Sequence, residues 1–186
     1  VQQRLGPDSE DKKLLHLAEN ECDRMRKLIR DLQQFNRPTT RQKTVFALHR
    51  ILEEILTLNH NFLSKRRIVL NRVYAPSPLL VTAVEDQIRQ VFINLTINAA
   101  DAMAQQGGTL TIRTFAGVDD VKVCVQDSGS GIAPENLGRI FEPFFTTKAA
   151  VEGAGLGLPV SYGIVRAHGG SIEVQSEPGK TIFTVT

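Results

Sequence analysis

The chain has 186 residues, of which 41% are apolar and 23% are charged, and 22 Lys and Arg against 20 Asp and Glu give a formal net charge of +2. These proportions are ordinary for a folded globular protein and exclude a disordered chain, a collagen-like chain and a disulfide scaffold. So balanced a charge gives no support to bulk attraction to nucleic acid or to a membrane surface. No apolar run approaches the ~18 residues of a membrane span, so we expect no direct membrane contact from this chain. Cys22 and Cys124 lie in unrelated contexts and are expected to be reduced thiols of a cytoplasmic protein.

The chain divides near residue 38. Residues 9–36 carry apolar side chains at a strict three-four spacing, which predicts one long helix with a coiled-coil or bundle seam. The seam consists of Leu15, Ala18, Cys22, Met25, Ile29 and Leu32. Because one helix cannot bury such a seam alone, we expect a partner helix. Pro38 is expected to end the helix at a short hinge.

Residues 39–186 mix helical and strand patterns. Helices are predicted at 46–63, 85–105, 134–140 and 156–168. Strands are predicted at 67–74, 79–84, 109–115, 118–126, 171–175 and 181–186. The third and fourth strands are expected to form one hairpin, and the last two a second hairpin around Pro178-Gly179. This mixture predicts an α+β fold, a two-layer α/β sandwich.

The helix predicted over 85–105 is apolar around most of its surface but carries one polar line. The line contains residues at spacings of three and four, namely Gln87, Gln90, Asn94, Asn98, Asp101 and Gln105. Two interpretations stay open at this point. The line is either the solvated stripe of a surface helix or one wall of a phosphate–metal site, because short amide and carboxylate side chains offer oxygen ligands to magnesium.

Three loop segments also suggest ligand binding, and two of them carry a second, purely structural interpretation. Asp127-Ser128-Gly129-Ser130-Gly131 follows a strand, and is either a simple turn or a close approach to a flat ligand whose amine Asp127 accepts. The run 153–158, Gly-Ala-Gly-Leu-Gly-Leu, opens a helix and points backbone N–H groups at an anion, although it is not a Rossmann fingerprint. Between them, residues 141–148 form either a lid over a ligand or a loop packed on the core.

Together these segments resemble the catalytic, ATP-binding domain of bacterial sensor histidine kinases. The matching motifs are Asn94-Leu95-x-x-Asn98-Ala99 (the family's N box), Asp127-x-Gly129-x-Gly131 (G1 box), Phe141–Lys148 (F box), Gly153-x-Gly155-x-Gly157-Leu158 (G2 box) and Thr181-x-Phe183 (closing strand). They occur in the family's order and cover about residues 40–186. The resemblance implies the Bergerat α/β sandwich shared with gyrase-type ATPases over residues 39–186. Residues 1–38 resemble mostly the second helix of the dimerisation and phosphoacceptor domain.

The resemblance also implies roles for individual residues in binding ATP and Mg²⁺. Asn98 would hold the magnesium that bridges the phosphates, and Asp127 would bind the adenine amine with help, through water, from Thr181. The glycines of the two boxes, Gly129, Gly131, Gly153, Gly155 and Gly157, would let the ring approach and close a loop on the phosphates. Lys148 would offset phosphate charge. The remaining nucleotide-binding positions implied by the motifs are Asn94, Asp101, Ile132, Thr147, Leu156 and Leu158.

The sequence departs from the family pattern at three points. The family's phosphoacceptor motif runs His-Glu-x-Arg/Asn-Pro, whereas the four histidines here are followed by Leu17, Arg50, Asn61 and Gly169. We therefore expect the chain to begin after the first bundle helix, without a phosphoacceptor histidine. Ala154 replaces the family's usual Thr or Ser, so one hydrogen bond that the resemblance implies for the lid lacks its usual side chain. The turn before Thr181 is one glycine shorter than the family's, so Thr181 is placed less securely.

The expected function is the transmitter core of a two-component sensor histidine kinase, which binds Mg-ATP for transfer of a phosphoryl group to a histidine outside this chain. Expected partners are a second copy, through the N-terminal helix, and a response regulator, but not nucleic acid. The alternatives are a gyrase-like or chaperone-like ATPase, a non-catalytic nucleotide-gated dimerisation module and, less favoured, a serine-directed kinase. Those ATPases place a water-activating Glu where this chain has Asn94, an amide that cannot act as a general base. This difference favours transfer to protein over hydrolysis.

Overall fold

The computed structural model describes Leu14, Leu15, Leu17 and residues 42–147 and 155–186. The three leucines are helical, but the rest of the helix predicted over 9–36, the hinge at Pro38 and the domain division after it lie outside the described residues. In the ranges that are described, no helix combines the length and the apolar character needed to cross a membrane. Cys124 is a free thiol, whereas Cys22 also lies outside the described residues.

Two sheets organise the described residues. Their strands are β1 (Thr44–Ala47), β2 (Ile68–Val73), β3 (Leu80–Ala83), β4 (Gly108–Ala116), β5 (Val121–Asp127), β6 (Ile172–Glu177) and β7 (Lys180–Val185). The larger sheet has the order β2-β4-β5-β7-β6, with β2 parallel to β4 and the other neighbours antiparallel. β1 and β3 form a separate antiparallel pair. Both predicted hairpins, β4–β5 and β6–β7, are present.

Helices cover one face of the larger sheet. They are α1 (Leu48–Leu58), α2 (His60–Lys65), α3 (Glu85–Ala102), α4 (Pro134–Leu137) and α5 (Gly157–Ala167). α3 packs beside α5 and against β5, and α1 packs on α3. Buried side chains of alternate strand positions join the buried stripes of the helices in one core that includes Ile51, Leu95, Leu110, Ile112, Val123 and Val125. The prediction of a two-layer α/β sandwich is confirmed.

The helix predicted over 46–63 is wrong at its start and in its continuity. Phe46 and Ala47 belong to β1, where they pair with Val81 and Leu80 of β3. The helical stretch is also broken at Asn59, which has a φ of −93° and a ψ of 4° and whose side-chain Nδ2 donates to the carbonyl of Ile55 at 2.8 Å. The local apolar spacing is compatible with a continuous helix. Pairing with the distant strand β3 instead places Phe46 and Ala47 in β1, and the side-chain hydrogen bond of Asn59 accompanies the break.

Two further helices are shorter than predicted. α3 ends at Ala102 rather than at residue 105, because the chain turns at Gly107, which has a φ of 75° and donates its N–H to Met103 O at 2.9 Å. α4 ends at Leu137 rather than at residue 140, next to Gly138. α5 begins and ends within one residue of its predicted bounds. The early end of α3 leaves room for the loop after β5 to approach the helix end.

Candidate functional site

A cleft of about 280 Å³ opens between α3, the loop after β5, the start of β7 and the first turn of α5. Nine of the predicted site residues line it, namely Asn98, Asp101, Asp127, Gly131, Ile132, Thr147, Gly155, Leu158 and Thr181. Lys148 and Gly153 lie outside the described residues. The cleft therefore brings together residues from all the motifs that the sequence suggested, although they are far apart along the chain.

Four predicted site residues, Asn94, Gly129, Leu156 and Gly157, are not part of the cleft lining. Asn94 joins the two helices instead, because its Nδ2 donates to Gly157 O at 3.0 Å and to Ser161 Oγ at 3.2 Å. Its Oδ1 accepts a hydrogen bond from Gln90 Nε2 at 2.7 Å. This arrangement fixes the first turn of α5 against α3. Direct contact of these four residues with a nucleotide stays a prediction.

Eight further residues line the cleft that were not predicted from the sequence as site residues: Ala102, Ser130, Asn136, Ile140, Phe145, Thr146, Pro159 and Phe183. Ser130, Phe145, Thr146 and Phe183 lie inside the recognised motifs, so their position in the motif was the available signal. Asn136 and Ile140 come from α4 and the turn after it, and no local pattern marked them. Their place in the cleft results from how this segment packs.

Asp127 forms the polar floor of the cleft. It is the last residue of β5 and pairs in register with Thr181 of β7, and both side chains are only 3% exposed. Asp127 Oδ1 accepts the N–H of Gly129 at 2.9 Å. Burial raises the pKa of Asp127 to about 6, against the opposing effect of that hydrogen bond. An acceptor held in this way suits a ligand that donates a hydrogen bond.

The ionised Asp127 lowers the stability of the empty domain. Burial raises the pKa of Asp127 to about 6 in the folded chain, above the ordinary value of an aspartate, so between these two values the folded state holds a proton that the unfolded state has released. Stability from this group is therefore greatest below pH ~4 and falls as the pH rises through about 6. A donor that binds the carboxylate offsets this cost. A buried carboxylate at the floor of a cleft fits the predicted role of Asp127 in binding a ligand, which stays a prediction.

The loop after β5 is fixed between α3 and the β6–β7 hairpin. Ser130 N–H donates to Ala102 O at 3.2 Å, and Gly179 N–H donates to Gly129 O at 3.1 Å. Gly131 adopts a φ of 80°, and a Cβ at this position would lie 2.6 Å from Glu177 O. The backbone thus passes so close to the hairpin that only glycine fits.

Replacing Gly131 with Ala should lower the free energy of unfolding by about 1–3 kcal/mol, because it combines an unfavourable φ with a backbone clash. Gly138→Ala is the matched control, since Gly138 has a φ of −69° and no atom within 4 Å of an added Cβ. Denaturant unfolding of both variants and the wild type measures the difference. Equal stability of the two variants would contradict the close packing of the loop on the hairpin.

At the rim of the cleft, the segment that ends at residue 147 contacts the segment that begins at residue 155. Phe144 N–H donates to Gly155 O at 3.0 Å. Gly155 has a φ of 66°, and a Cβ on it would lie 2.6 Å from the Phe144 carbonyl carbon. Phe145 lines the cleft and lies beneath the Arg139 guanidinium, whose Cζ is 4.4 Å from the ring centroid. These contacts place the aromatic ring of Phe145 in the lining of the cleft.

Oxygen donors for a metal lie on the α3 wall of the cleft. Asn98 and Asp101 both line it, and Asp101 Oδ1 is 3.8 Å from Arg66 Nη2. Within the described ranges, no group of three or more His, Cys, Asp or Glu side chains is arranged to hold a metal. Mg²⁺ commonly uses one or two protein ligands together with waters and phosphate oxygens. The residues present therefore fit a Mg²⁺ ion shared with a phosphate-bearing ligand, and not an all-protein metal cage.

Comparison with known proteins gives matches over the same region. Residues 83–186 match the family described as histidine kinase-, DNA gyrase B-, and HSP90-like ATPase. The sensor histidine kinase ZraS of Klebsiella oxytoca is 34% identical over 183 residues, which are 98% of this chain and 39% of that protein. The chain thus spans well under half the length of this relative.

Two solved structures resemble the chain over nearly its whole length. Histidine kinase ThkA in complex with the response regulator protein TrrA matches with a TM-score of 0.79 and 27% identity, covering 97% of this chain and 52% of that one. Full-length ShkA in complex with AMPPNP matches with a TM-score of 0.77 and 25% identity, covering 98% of this chain and 40% of that one.

Proposed function

Because the chain belongs to the family of histidine kinase-, DNA gyrase B- and HSP90-like ATPases and is the ATP-binding domain of a bacterial sensor histidine kinase, we propose that its cleft binds ATP with Mg²⁺. The bound ATP supplies a phosphoryl group for transfer to a histidine of the whole protein. The observation that carries the proposal is the chemistry of the cleft, in which a buried acceptor, Asp127, lies on the floor and the oxygen donors Asn98 and Asp101 lie in the α3 wall. A nucleotide presents the complementary groups at its two ends.

Each part of the cleft meets one part of the nucleotide. The exocyclic amine of adenine donates to Asp127, and the ring packs among apolar side chains such as Ile132, Leu158 and Phe183. The backbone N–H groups at the start of α5 suit the negative phosphates. Asn98 and Asp101 would hold Mg²⁺, and the bound ion would neutralise phosphate charge. Phosphoryl transfer needs mainly positioning and electrostatic stabilisation, and such a cleft supplies both.

The environment of Asn94 favours transfer over hydrolysis. Both ends of its amide are engaged between α3 and α5, by Gly157 O and Ser161 Oγ on one side and Gln90 Nε2 on the other. An amide whose two ends are already hydrogen-bonded neither removes a proton from a water molecule nor orients that water molecule for attack. Among the family's activities, the arrangement therefore supports a kinase rather than a gyrase-like ATPase.

The partners in this proposal are a second copy of the chain and a response regulator. The dimer contact would use the apolar seam of residues 9–36, because that seam needs a partner face. Support for a response regulator comes from ThkA, a similar kinase whose structure contains the regulator TrrA. The step takes place in the cytoplasm, which supplies ATP, whether or not the whole protein has a membrane anchor.

Radiolabelled ATP tests this function on the whole protein and on the 186-residue chain. The whole protein should gain an acid-labile phosphate on histidine, whereas the chain should bind Mg-ATP and ADP but retain no label. Whole protein carrying Asp127→Ala is the control, and it should lose most of the labelling at low ATP concentration.

Three results would contradict the proposal. Release of free phosphate without a phosphoprotein indicates a gyrase-like ATPase. Binding of ATP without labelling or release indicates a nucleotide-gated dimerisation module. Stable label on the 186-residue chain itself would show that this chain contains a phosphate acceptor.

A further inference from the structure

We propose that Ser176 is a positioning residue for base recognition, which turns the hydroxyl of Thr181 so that it donates a hydrogen bond into the cleft. The inference rests on the proposed binding of adenine at Asp127. Asp127, Thr181 and Ser176 are direct partners across three neighbouring strands, β5, β7 and β6. Their side chains therefore form one polar row on the helix-covered face of the sheet. Ser176 is not part of the cleft lining and lies behind Thr181 in this row.

The hydrogen bonds of Ser176 bear on the direction of donation along this row of side chains. Its Oγ accepts the backbone N–H of Ile132 at 2.8 Å and lies 2.9 Å from Thr181 Oγ1. A hydroxyl has one proton to donate, and accepting a hydrogen bond makes it a better donor. In the proposed arrangement Ser176 gives its own proton to Thr181, so that the proton of Thr181 points away from Ser176. Because Thr181 lines the cleft, this orientation makes its proton available to a ligand there.

This arrangement gives the floor of the cleft an acceptor beside a donor. Asp127 supplies the acceptor, and Thr181, oriented by Ser176, supplies the donor. Adenine offers the complementary pattern, since its C6 amine is a donor and the ring nitrogens N1 and N7 on either side are acceptors. Adjacent strands are about 4.8 Å apart, so the donor reaches one of these nitrogens directly or through one water. Guanine has an oxygen in place of the amine. Because this oxygen and the Asp127 carboxylate are both hydrogen-bond acceptors, they repel each other.

Ser176 also contacts the loop after β5. The experiment must therefore distinguish loss of the Thr181 contact from loss of this loop contact. Through Ile132 it also anchors that loop, and loss of the anchor would weaken the binding of every nucleotide equally. Loss of the Thr181 orientation would weaken only ligands that have the receiving nitrogen. The analogues 1-deaza-ATP and 7-deaza-ATP each replace one of the two nitrogens with C–H, and so distinguish these cases.

Calorimetric titration with ATP, 1-deaza-ATP, 7-deaza-ATP and GTP should be made on the wild type, Ser176→Ala, Ser176→Thr and Thr181→Val. Wild type should bind one of the two deaza analogues about three- to tenfold more weakly than ATP, which is the effect of one hydrogen bond. Thr181→Val should lose the same factor for ATP and nothing further for that analogue. Ser176→Ala should lose this factor for ATP in addition to any loss, shared by all the nucleotides, that comes from the Ile132 anchor. If the receiving nitrogen is N1, which is a donor in guanine, both variants should also narrow the preference for ATP over GTP. Ser176→Thr keeps the hydroxyl and should restore wild-type affinity. Gln175→Ala, the exposed neighbour on β6, is the matched control and should have no effect.

Thermal unfolding of each variant verifies that it is folded under the titration conditions. An equal loss for ATP and both deaza analogues in Ser176→Ala would overturn the inference and leave Ser176 as a loop anchor only. Unchanged affinity in that variant would overturn it as well, while leaving the proposed function intact. If the wild type bound none of these nucleotides in the presence of Mg²⁺, the proposed function and the inference would both be wrong.

Discussion

Asp127→Ala should weaken the binding of ATP and of ADP by about 10- to 150-fold, because a hydrogen bond to an ionised, buried acceptor is worth ~1.5–3 kcal/mol. Both nucleotides should lose the same factor, since they share the adenine ring that Asp127 contacts. Asp127→Asn should lose less, because its amide oxygen can still face the amine. Calorimetric titration measures all four affinities. If Asp127→Ala bound Mg-ATP as tightly as the wild type, the segment 127–131 would be a strand-end turn without a role in recognition.

The pH dependence of binding provides a control for the same residue. The pKa of Asp127 is raised to about 6, so wild-type affinity for ATP should fall as the pH is lowered through that value. Asp127→Asn has no such group and should show a shallower profile over the same range, which retains only the titration of the nucleotide's own phosphate. Removal of the buried charge should also raise the unfolding free energy of the empty domain at pH 7, by about 1–2 kcal/mol. Weaker binding together with higher stability would separate lost recognition from misfolding.

Asn98→Ala should weaken Mg-ATP binding by about 10- to 100-fold, since it removes an oxygen that holds an ion with few protein ligands. Metal-free ATP should bind nearly as it does to the wild type, because the contact with Asn98 runs through the metal. Titrations with magnesium and with a chelator give the two affinities. Gln87→Ala is the matched control, because Gln87 lies on the same polar line of α3 and outside the cleft. An equal loss with and without magnesium would exclude Asn98 as a metal ligand.

The polar line of α3 shows how far helical periodicity reaches. The spacing of Asn94, Asn98 and Asp101 placed them on one side of a helix, and this much follows from backbone geometry. The structure then separates them, because Asn98 and Asp101 line the cleft while Asn94 is bound to the first turn of α5. Which neighbour each side chain meets depends on α5, which lies far along the chain. Neither of the two interpretations that the sequence left open, a solvated stripe or one wall of a site, therefore describes the whole polar line.

β1 marks the limit of local patterns in the fold. Phe46 and Ala47 fitted the apolar stripe of the following helix, yet they pair with β3. A short apolar stretch satisfies either pattern, and the choice depends on whether a partner strand is available. In contrast, the β4–β5 and β6–β7 hairpins were predictable, since their strands alternate and their turns carry Gly with Asp or Pro.

The sequence alone determined the chemistry of this protein and the type of most of its elements. Side-chain periods and turn residues act over a few positions, and the nucleotide motifs specify which donors and acceptors are present. Only the tertiary structure decided which of these groups share a cleft, that burial raises the pKa of Asp127, and that Ser176 lies behind Thr181. Those properties arise from strand register and from the packing of distant segments. Desolvation and hydrogen-bond direction are set by neighbours in space, and no local pattern encodes them.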